Sequence, residues 1–200
     1  MSTMNALLRR AIDSGAIPSG AGKQTIAIPA SAWDEDKSAP PSYVPMTGDG
    51  SQKLANGSWE FSESSIQRIN TPIFMPKSWD GGVIGVRSIW YSYSGASGDV
   101  LWAYTALNRV EGDSVSSGSL LSSVNADDAA STVDTAADAT LRVADRVELD
   151  LGAAAEALVG MRAVWVQVER TATSGSDTLN NPVRWIGALI DYTTTAATDD

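Results

Sequence analysis

The sequence contains neither cysteine nor histidine. Without thiols there is no disulfide framework and no thiol nucleophile, and a chain without thiols is compatible with either redox compartment. Without imidazole, zinc sites of the usual Cys/His kind and every mechanism that uses a histidine base are excluded. We therefore expect no metal site and no cofactor.

Basic residues are also scarce, with 14 Lys and Arg against 24 Asp and Glu, a net charge of −10 and a pI near 4.4. Clustered basic residues are what nonspecific nucleic-acid and anionic-membrane binding require, so neither partner is expected. No apolar run approaches the roughly 20 residues that cross a bilayer, and the first five residues lack the pattern of a signal peptide. The sequence predicts a protein that works where it is made or leaves as part of a larger assembly.

Acidic residues are frequent, but none of them forms a recognisable catalytic or metal-binding pattern. Asp34 and Asp36, like Asp127 and Asp128, lie in polar stretches without the apolar surroundings that raise a carboxyl pKa, and the EF-hand spacing is absent. Residues 20–23 lack the spacing and the strand and helix of a phosphate-binding loop. We assign no catalytic residue, and a hydrolase is the weakest interpretation.

What the sequence does contain is alternating apolar residues along most of its length, which is typical of strands. The pattern is clearest in residues 161–195, where two predicted strands flank a polar, turn-forming stretch, and we expect them to be a central antiparallel pair. Val164, Val166 and Val168 are predicted to point inward in the first strand, and Ile186, Ala188, Ile190 and Tyr192 are predicted to share one face of the second. Roughly eight strands, punctuated by turns, favour a single jelly-roll-like antiparallel β-sandwich, an all-β fold, over residues 24–200.

Three further features are predicted in this domain. Residues 83–93 and 100–107 are expected to form a hairpin, with the second strand either central or covered on its outer side because it is apolar on both faces. The Ser/Asp/Ala-rich stretch 111–140 indicates edge strands and exposed loops. A helical turn is expected over residues 153–158.

Residues 1–23 are predicted to be an extended arm and linker outside the sandwich. Apolar residues at helical spacing indicate one short amphipathic helix, and they are Met4, Leu7, Leu8, Ala11 and Ile12. Such a short helix is marginal in water without packing. Two interpretations therefore stay open, an arm that lays its apolar stripe on a neighbouring subunit and a frayed tail.

Seven tryptophans stand out in a chain with few other aromatic residues. Most are expected in the core, Trp90 and Trp102 among them, since tryptophan is usually largely buried. Trp165 lies on the face opposite the three valines, so it should point toward a second layer or a neighbouring subunit, with Trp185 beside it. We predict that Trp165, Trp185 and the apolar residues of the arm bind partners.

Several segments, taken in order, resemble a family of tailed-bacteriophage virion proteins with a jelly-roll domain. They are IAIPASAW at 26–33, FMPKSWDGG at 74–82, VQVE at 166–169 with Arg170, DTL at 177–179 and IGALIDY at 186–192. The resemblance implies a structural component of the particle, and it supplies no catalytic residues to carry over.

The same resemblance implies a head decoration, or cement, protein. We expect a homotrimer, made in the host cytoplasm, that lies on the capsid surface of the virion and stabilises the shell by binding the major capsid protein. The alternative is a tail fibre or baseplate component that binds host surface carbohydrate. In that case Trp33 and Trp79, expected at a loop and a corner, would stack on sugars; otherwise they would be plugs that close the ends of the sandwich.

Overall fold

The computed structural model describes residues 22–45, 57–93, 95–110, 128–151 and 162–194. These residues form twelve strands and one short 3-10 turn, Ala30–Ala32. The strands are β1 (Gly22–Pro29), β2 (Asp34–Glu35), β3 (Ser42–Val44), β4 (Ser58–Phe61), β5 (Ile66–Met75), β6 (Val83–Ser92), β7 (Asp99–Val110), β8 (Asp128–Thr135), β9 (Arg142–Val143), β10 (Val147–Asp150), β11 (Arg162–Thr171) and β12 (Val183–Thr194).

The strands form two antiparallel sheets that pack face to face. One sheet has seven strands in the order β10-β6-β12-β4-β3, with β1 beside β12 and β9 beside β6. The other has five strands in the order β2-β5-β11-β7-β8. The fold is thus the jelly-roll-like antiparallel β-sandwich that the sequence predicted.

The core lies between the sheets and is filled by the inward side chains of alternating strands. Alternate residues of β6 and β11 are fully buried, namely Ile84, Val86, Trp90, Val164, Val166 and Val168. At the centre the Trp102 ring of the five-stranded sheet meets Phe61 and Trp90 of the seven-stranded sheet edge-on, with centroid distances of 5.5 and 5.9 Å. Trp90 and Trp102 are therefore core residues, as expected.

The prediction that β11 and β12 form one antiparallel pair was wrong. β11 lies between β5 and β7 in the five-stranded sheet, whereas β12 is an inner strand of the seven-stranded sheet. The connection of residues 172–182 carries the chain from one sheet to the other, and Arg170 fixes its path. The buried Arg170 guanidinium donates to both Asp177 carboxylate oxygens, at 3.0 and 2.8 Å, and to the carbonyl oxygens of Leu179 and Asn181 at 2.7 and 2.9 Å.

The predicted hairpin of residues 83–93 and 100–107 was wrong for a similar reason. β6 pairs with β12, β9 and β10, while β7 pairs with β11 and β8 in the opposite sheet. Gly98, at the crossing, has a φ of +125°, and an added Cβ would lie 2.8 Å from the Thr178 carbonyl oxygen. The inner position predicted for β7 is correct, and β8 is an edge strand, as predicted.

Most of the described ranges begin or stop at one end of the sandwich. The strands that lead to residues 1–21, 111–127, 152–161 and 195–200 all reach the same end, since Gly22 is opposite Thr194 and Arg162 is opposite both Met75 and Val110. Trp79 is buried at this end and bridges to Thr194, which fits the predicted plug. The arm helix of residues 1–23 and the helical turn of residues 153–158 are predictions that lie outside the described residues.

Candidate functional site

The outer face of the five-stranded sheet carries a group of apolar side chains, which we call the aromatic face: Pro72, Phe74, Leu107, Ala163 and Trp165. The register brings them together, because Trp165 is opposite Pro72 on one side and Leu107 on the other, and Phe74 is opposite Ala163. Side chains of a strand alternate between faces, so these residues point away from the core that their sequence neighbours fill. Leu107 is nevertheless buried, at 1% exposure, and Pro72, Ala163 and Trp165 are half-buried, so Phe74 is the exposed residue of the face.

Phe74 is the most exposed large hydrophobic residue in the described ranges, at 63%. It points outward because Ile73 and Met75 occupy the inward positions on either side and are buried. Trp165, across the sheet, is half-buried. An exposed phenylalanine ring next to a partly exposed tryptophan adds little to the stability of the domain, so this face is a candidate contact surface.

A polar border adjoins the aromatic face along the same strands. Two residues away from Trp165 comes a row of neutral side chains, Asn70, Gln167 and Thr105. Two residues further, Arg68 and Glu169 are opposite each other and form a salt bridge. An apolar centre with a polar and charged border is the composition typical of protein interfaces.

The outer face of the seven-stranded sheet is ionic. Asp191 on β12 accepts hydrogen bonds from the Thr25 hydroxyl at 2.6 Å and from Arg87 Nη2 at 2.9 and 3.0 Å, and Arg146 Nε lies 3.3 Å from its other side. The Arg146 side chain lies over Gly85, where an added Cβ would be 2.1 Å from its Nε. Burial acts to raise the pKa of Asp191, but the hydrogen bonds from Thr25 and Arg87 and the charges of both arginines outweigh it, so the pKa is lowered.

This ionic cluster holds strands of the seven-stranded sheet together. Asp191 joins β1, β6 and β12 to the segment before β10, and its lowered pKa keeps it ionised and unsuited to proton transfer near neutral pH. Within the described ranges, no group of three or more acidic side chains is placed to hold a metal ion. The same part of the chain has no helix with the length and hydrophobicity that a membrane crossing requires.

A second cluster lies at the corner of the ionic face. Arg184 Nε donates to the Tyr93 hydroxyl at 2.7 Å and Arg184 Nη2 lies 3.1 Å from Glu60, while the Tyr93 hydroxyl donates to Glu60. Burial and then the bond to Glu60 raise the pKa of Tyr93. The three side chains satisfy one another, which ties β4, β6 and β12 together and leaves no unmatched group for a ligand.

Trp185 does not lie beside Trp165, and this prediction was wrong. It is opposite Trp59 and Trp90, is fully buried, and packs edge-on against Trp33 with ring centroids 5.0 Å apart. The first cause is that β12 lies in the sheet opposite β11. The second is a bulge between Trp185 and Gly187, where the register with β6 shifts by one residue. A one-residue shift exchanges the faces of a strand, so Trp185 points inward together with Ala188 and Ile190.

The structure places the remaining candidates as follows. Trp165 is on an outward face, as predicted, and it is the one tryptophan of the seven that is not buried. Trp33 and Trp79 are buried, so neither can stack on a sugar, and the version of the carbohydrate hypothesis that used them was wrong. The predicted arm residues Met4, Leu7, Leu8, Ala11 and Ile12 lie outside the described residues.

Phe74 is the residue that the sequence interpretation did not single out as a site. The signal was present, because Ile69, Thr71, Ile73 and Met75 alternate with it and take the inward positions. What the alternation could not supply was its neighbour, since Trp165 is about 90 residues away in the chain and meets this region only through strand pairing.

No protein-family model matches this chain. No curated protein matches it either. Solved structures do resemble its fold: one is the CBM22-2 xylan-binding domain from Paenibacillus barcinonensis Xyn10C, with a TM-score of 0.45 and 14% identity over 82% of this chain and 92% of that domain. Another is CBM35 from Cellvibrio japonicus Abf62, with a TM-score of 0.43 and 9% identity over 84% of this chain and 92% of that chain. These similarities concern the fold alone.

Proposed function

We propose that this chain is a non-enzymatic structural protein of a virus particle, a head decoration protein that binds the major capsid protein through its aromatic face. The observation that carries the proposal is the exposure of Phe74 beside Trp165 on a sheet whose other side already forms the core. A surface of this kind gains free energy only when another molecule covers it. We propose a bacteriophage particle because the sequence resembles phage virion proteins.

The position of the aromatic face on paired strands favours binding without a folding step. Phe74 and Trp165 lie on β5 and β11, which pair along ten residues each. Side chains held by a sheet lose little conformational freedom when a partner covers them, so more of the buried apolar area contributes to affinity. The Arg68–Glu169 pair at the border would restrict the orientation of the partner.

The test is cosedimentation of the purified protein with phage heads that lack it. Phe74→Asp places a charge at the most exposed position of the face, and we expect at least a tenfold loss of bound protein with unchanged circular dichroism. Ala27→Asp, which adds the same charge at an exposed position of β1, is the matched control and should bind like the unmodified chain. Equal binding by both variants would contradict the proposal.

The arm is a second proposed contact, and the same assay separates it from the aromatic face. A chain that lacks residues 1–21 retains β1 in full, because that strand begins at Gly22. If the arm bridges capsid subunits, less of this shortened protein should cosediment with heads, although its Phe74 is unchanged. Retention equal to the full-length chain would assign the binding to the sandwich alone.

Carbohydrate binding by a tail fibre or baseplate component is the second candidate, and the same face favours it. An exposed aromatic ring can stack on a sugar, and the half-buried carboxamide of Asn70 lies in the adjoining row, whereas Gln167 beside it is buried. A glycan array probed with the full chain should then show selective binding that Phe74→Ala weakens. Binding to heads together with no signal on the array would contradict carbohydrate binding and support the decoration role.

A further inference from the structure

The free edges of the two sheets are not equally protected against pairing with another strand. Short length, charge and proline are the usual protections. In the described ranges β2 has two residues, both acidic, β9 has two, and β3 has three and is followed directly by Pro45. β10 has four residues and exposes two acidic side chains, Glu148 and Asp150.

Only two edge strands in the described part of the chain reach eight residues, β1 and β8. β1 carries Lys23 and ends at Pro29, two residues that protect an edge. β8, with the sequence DAASTVDT, contains no lysine, arginine or proline and has no bulge against β7. β8 is therefore a long edge without lysine, arginine, proline or a bulge, and its charged residues are Asp128 and Asp134, both on its inward face.

The side chains of β8 are arranged for contact with a second acidic chain. Its outward residues are uncharged although the chain has a net charge of −10, and they are Ala129, Ser131, Val133 and Thr135. Asp128 accepts the Asp150 N–H at 2.7 Å, and Asp134 accepts the Trp90 indole N–H at 2.8 Å and Arg142 at 3.1 Å. Both carboxylates are thus engaged within the domain.

Exposed apolar residues also concentrate on this side of the sandwich. Of the six exposed large hydrophobic residues in the described ranges, three lie on or next to the adjacent strands β8 and β9: Val133, Leu141 and Val143. The two strands are close, since Arg142 of β9 reaches Asp134 of β8. Val133 points outward from the five-stranded sheet and Val143 points outward from the seven-stranded sheet, so these residues border the β8 edge on both outer faces.

We propose that the free edge of β8 pairs with β8 of a second copy of this chain, antiparallel, about a twofold axis at Thr132. In an antiparallel pair, residues opposite each other point to the same face of the sheet. A twofold pair of identical strands therefore places one residue opposite its own copy, and the axis passes between these two copies. An axis at Ser131 would place Asp128 opposite Asp134, two like charges. With the axis at Thr132, Ser131 lies opposite Val133 and Asp134 lies opposite Ala130, and no charges oppose each other.

The pairing joins the two five-stranded sheets into one continuous ten-stranded sheet. Because the contact is isologous, it closes as a dimer and does not generate the threefold association expected from the resemblance. It is also independent of the aromatic face, which is centred on β5 and β11 on the outer surface of the sheet. Loss of head binding and loss of dimerisation are therefore separable.

The first test is the mass of the full chain in solution by light scattering over a range of concentrations. We expect a species of twice the 21.0 kDa chain mass, which Val133→Lys should convert to monomer, because lysine at an edge opposes strand pairing. Ala27→Lys, which places the same residue on the other eight-residue edge strand, should leave the dimer intact. A monomer at all concentrations, a trimer, or a dimer sensitive only to Ala27→Lys would overturn the proposal.

The absence of native cysteine allows a second test that also reports the register. Thr132→Cys places two thiols opposite each other at the axis, and mild oxidation should yield a covalent dimer. Ala27→Cys is the matched control and should remain uncrosslinked. Ser131→Cys should crosslink more weakly than Thr132→Cys, and the reverse order would refute the register.

Discussion

The outer faces of the two sheets are built from different chemistry. On the seven-stranded sheet, Asp191 binds Thr25, Arg87 and Arg146 within the domain. On the five-stranded sheet, Phe74 exposes most of its ring and has no such intramolecular role. The first face contributes to the stability of the fold, and the second exposes Phe74, which is why we propose it as the binding surface.

This difference separates stability from binding in a way that mutation can measure. Substitutions on the ionic face should lower the free energy of unfolding. Substitutions on the aromatic face should leave it nearly unchanged and affect association only. Three predictions follow the contrast from its largest expected effect to its smallest.

The largest effect is expected for Asp191→Ala, which should lower the free energy of unfolding by about 2–3 kcal/mol. The substitution leaves Arg87 and Arg146 facing each other without a shared anion and removes the acceptor of Thr25. Urea denaturation measures the change. Glu148→Ala is the control, because Glu148 also pairs with Arg146 but is 65% exposed, and it should change stability by no more than about 0.5 kcal/mol. If Asp191→Ala and Glu148→Ala changed the free energy of unfolding equally, the ionic cluster would contribute no more than an exposed salt bridge.

A smaller change in the free energy of unfolding is expected when the pH is lowered. The pKa of Asp191 is lowered in the folded chain, so its contribution is fully present above the unfolded pKa and is lost as the pH falls through the folded value. The stability difference between the unmodified chain and Asp191→Asn should therefore be constant near neutral pH and shrink below about pH 4. Urea titrations at several pH values measure it, and a difference that persists unchanged in acid would contradict the assignment.

The smallest effect is expected for Phe74→Ser, which should change the free energy of unfolding by no more than about 0.5 kcal/mol. The adjacent Ile73 is the internal comparison, because it is 4% exposed and Ile73→Ala should cost about 2–5 kcal/mol. Urea denaturation of both variants provides the measurement. A large loss for Phe74→Ser would mean that the ring stabilises the fold, which removes the main support for the aromatic face as a binding surface.

Much of the core could be predicted from local alternation. Val164, Val166 and Val168 point inward as expected, and Trp90 and Trp102 are core residues as expected. The candidate site was predicted only in part: Trp165 was placed on an outward face, but its neighbour Phe74 was not recognised. Neighbours across a sheet depend on register between distant segments, and the sequence contains no local signal for that register.

The sequence by itself determined the class of fold and the direction of most side chains, because alternation along a strand follows from the backbone and needs no knowledge of the strand's partners. Only the tertiary structure decided that β11 and β12 belong to different sheets and that Trp185 belongs to the core. The buried Arg170–Asp177 pair sets the path between those strands, and the register shift before Gly187 turns Trp185 inward. At Gly187 an added Cβ would lie 2.6 Å from the Ile28 carbonyl oxygen, a constraint that exists only once β1 has packed beside β12.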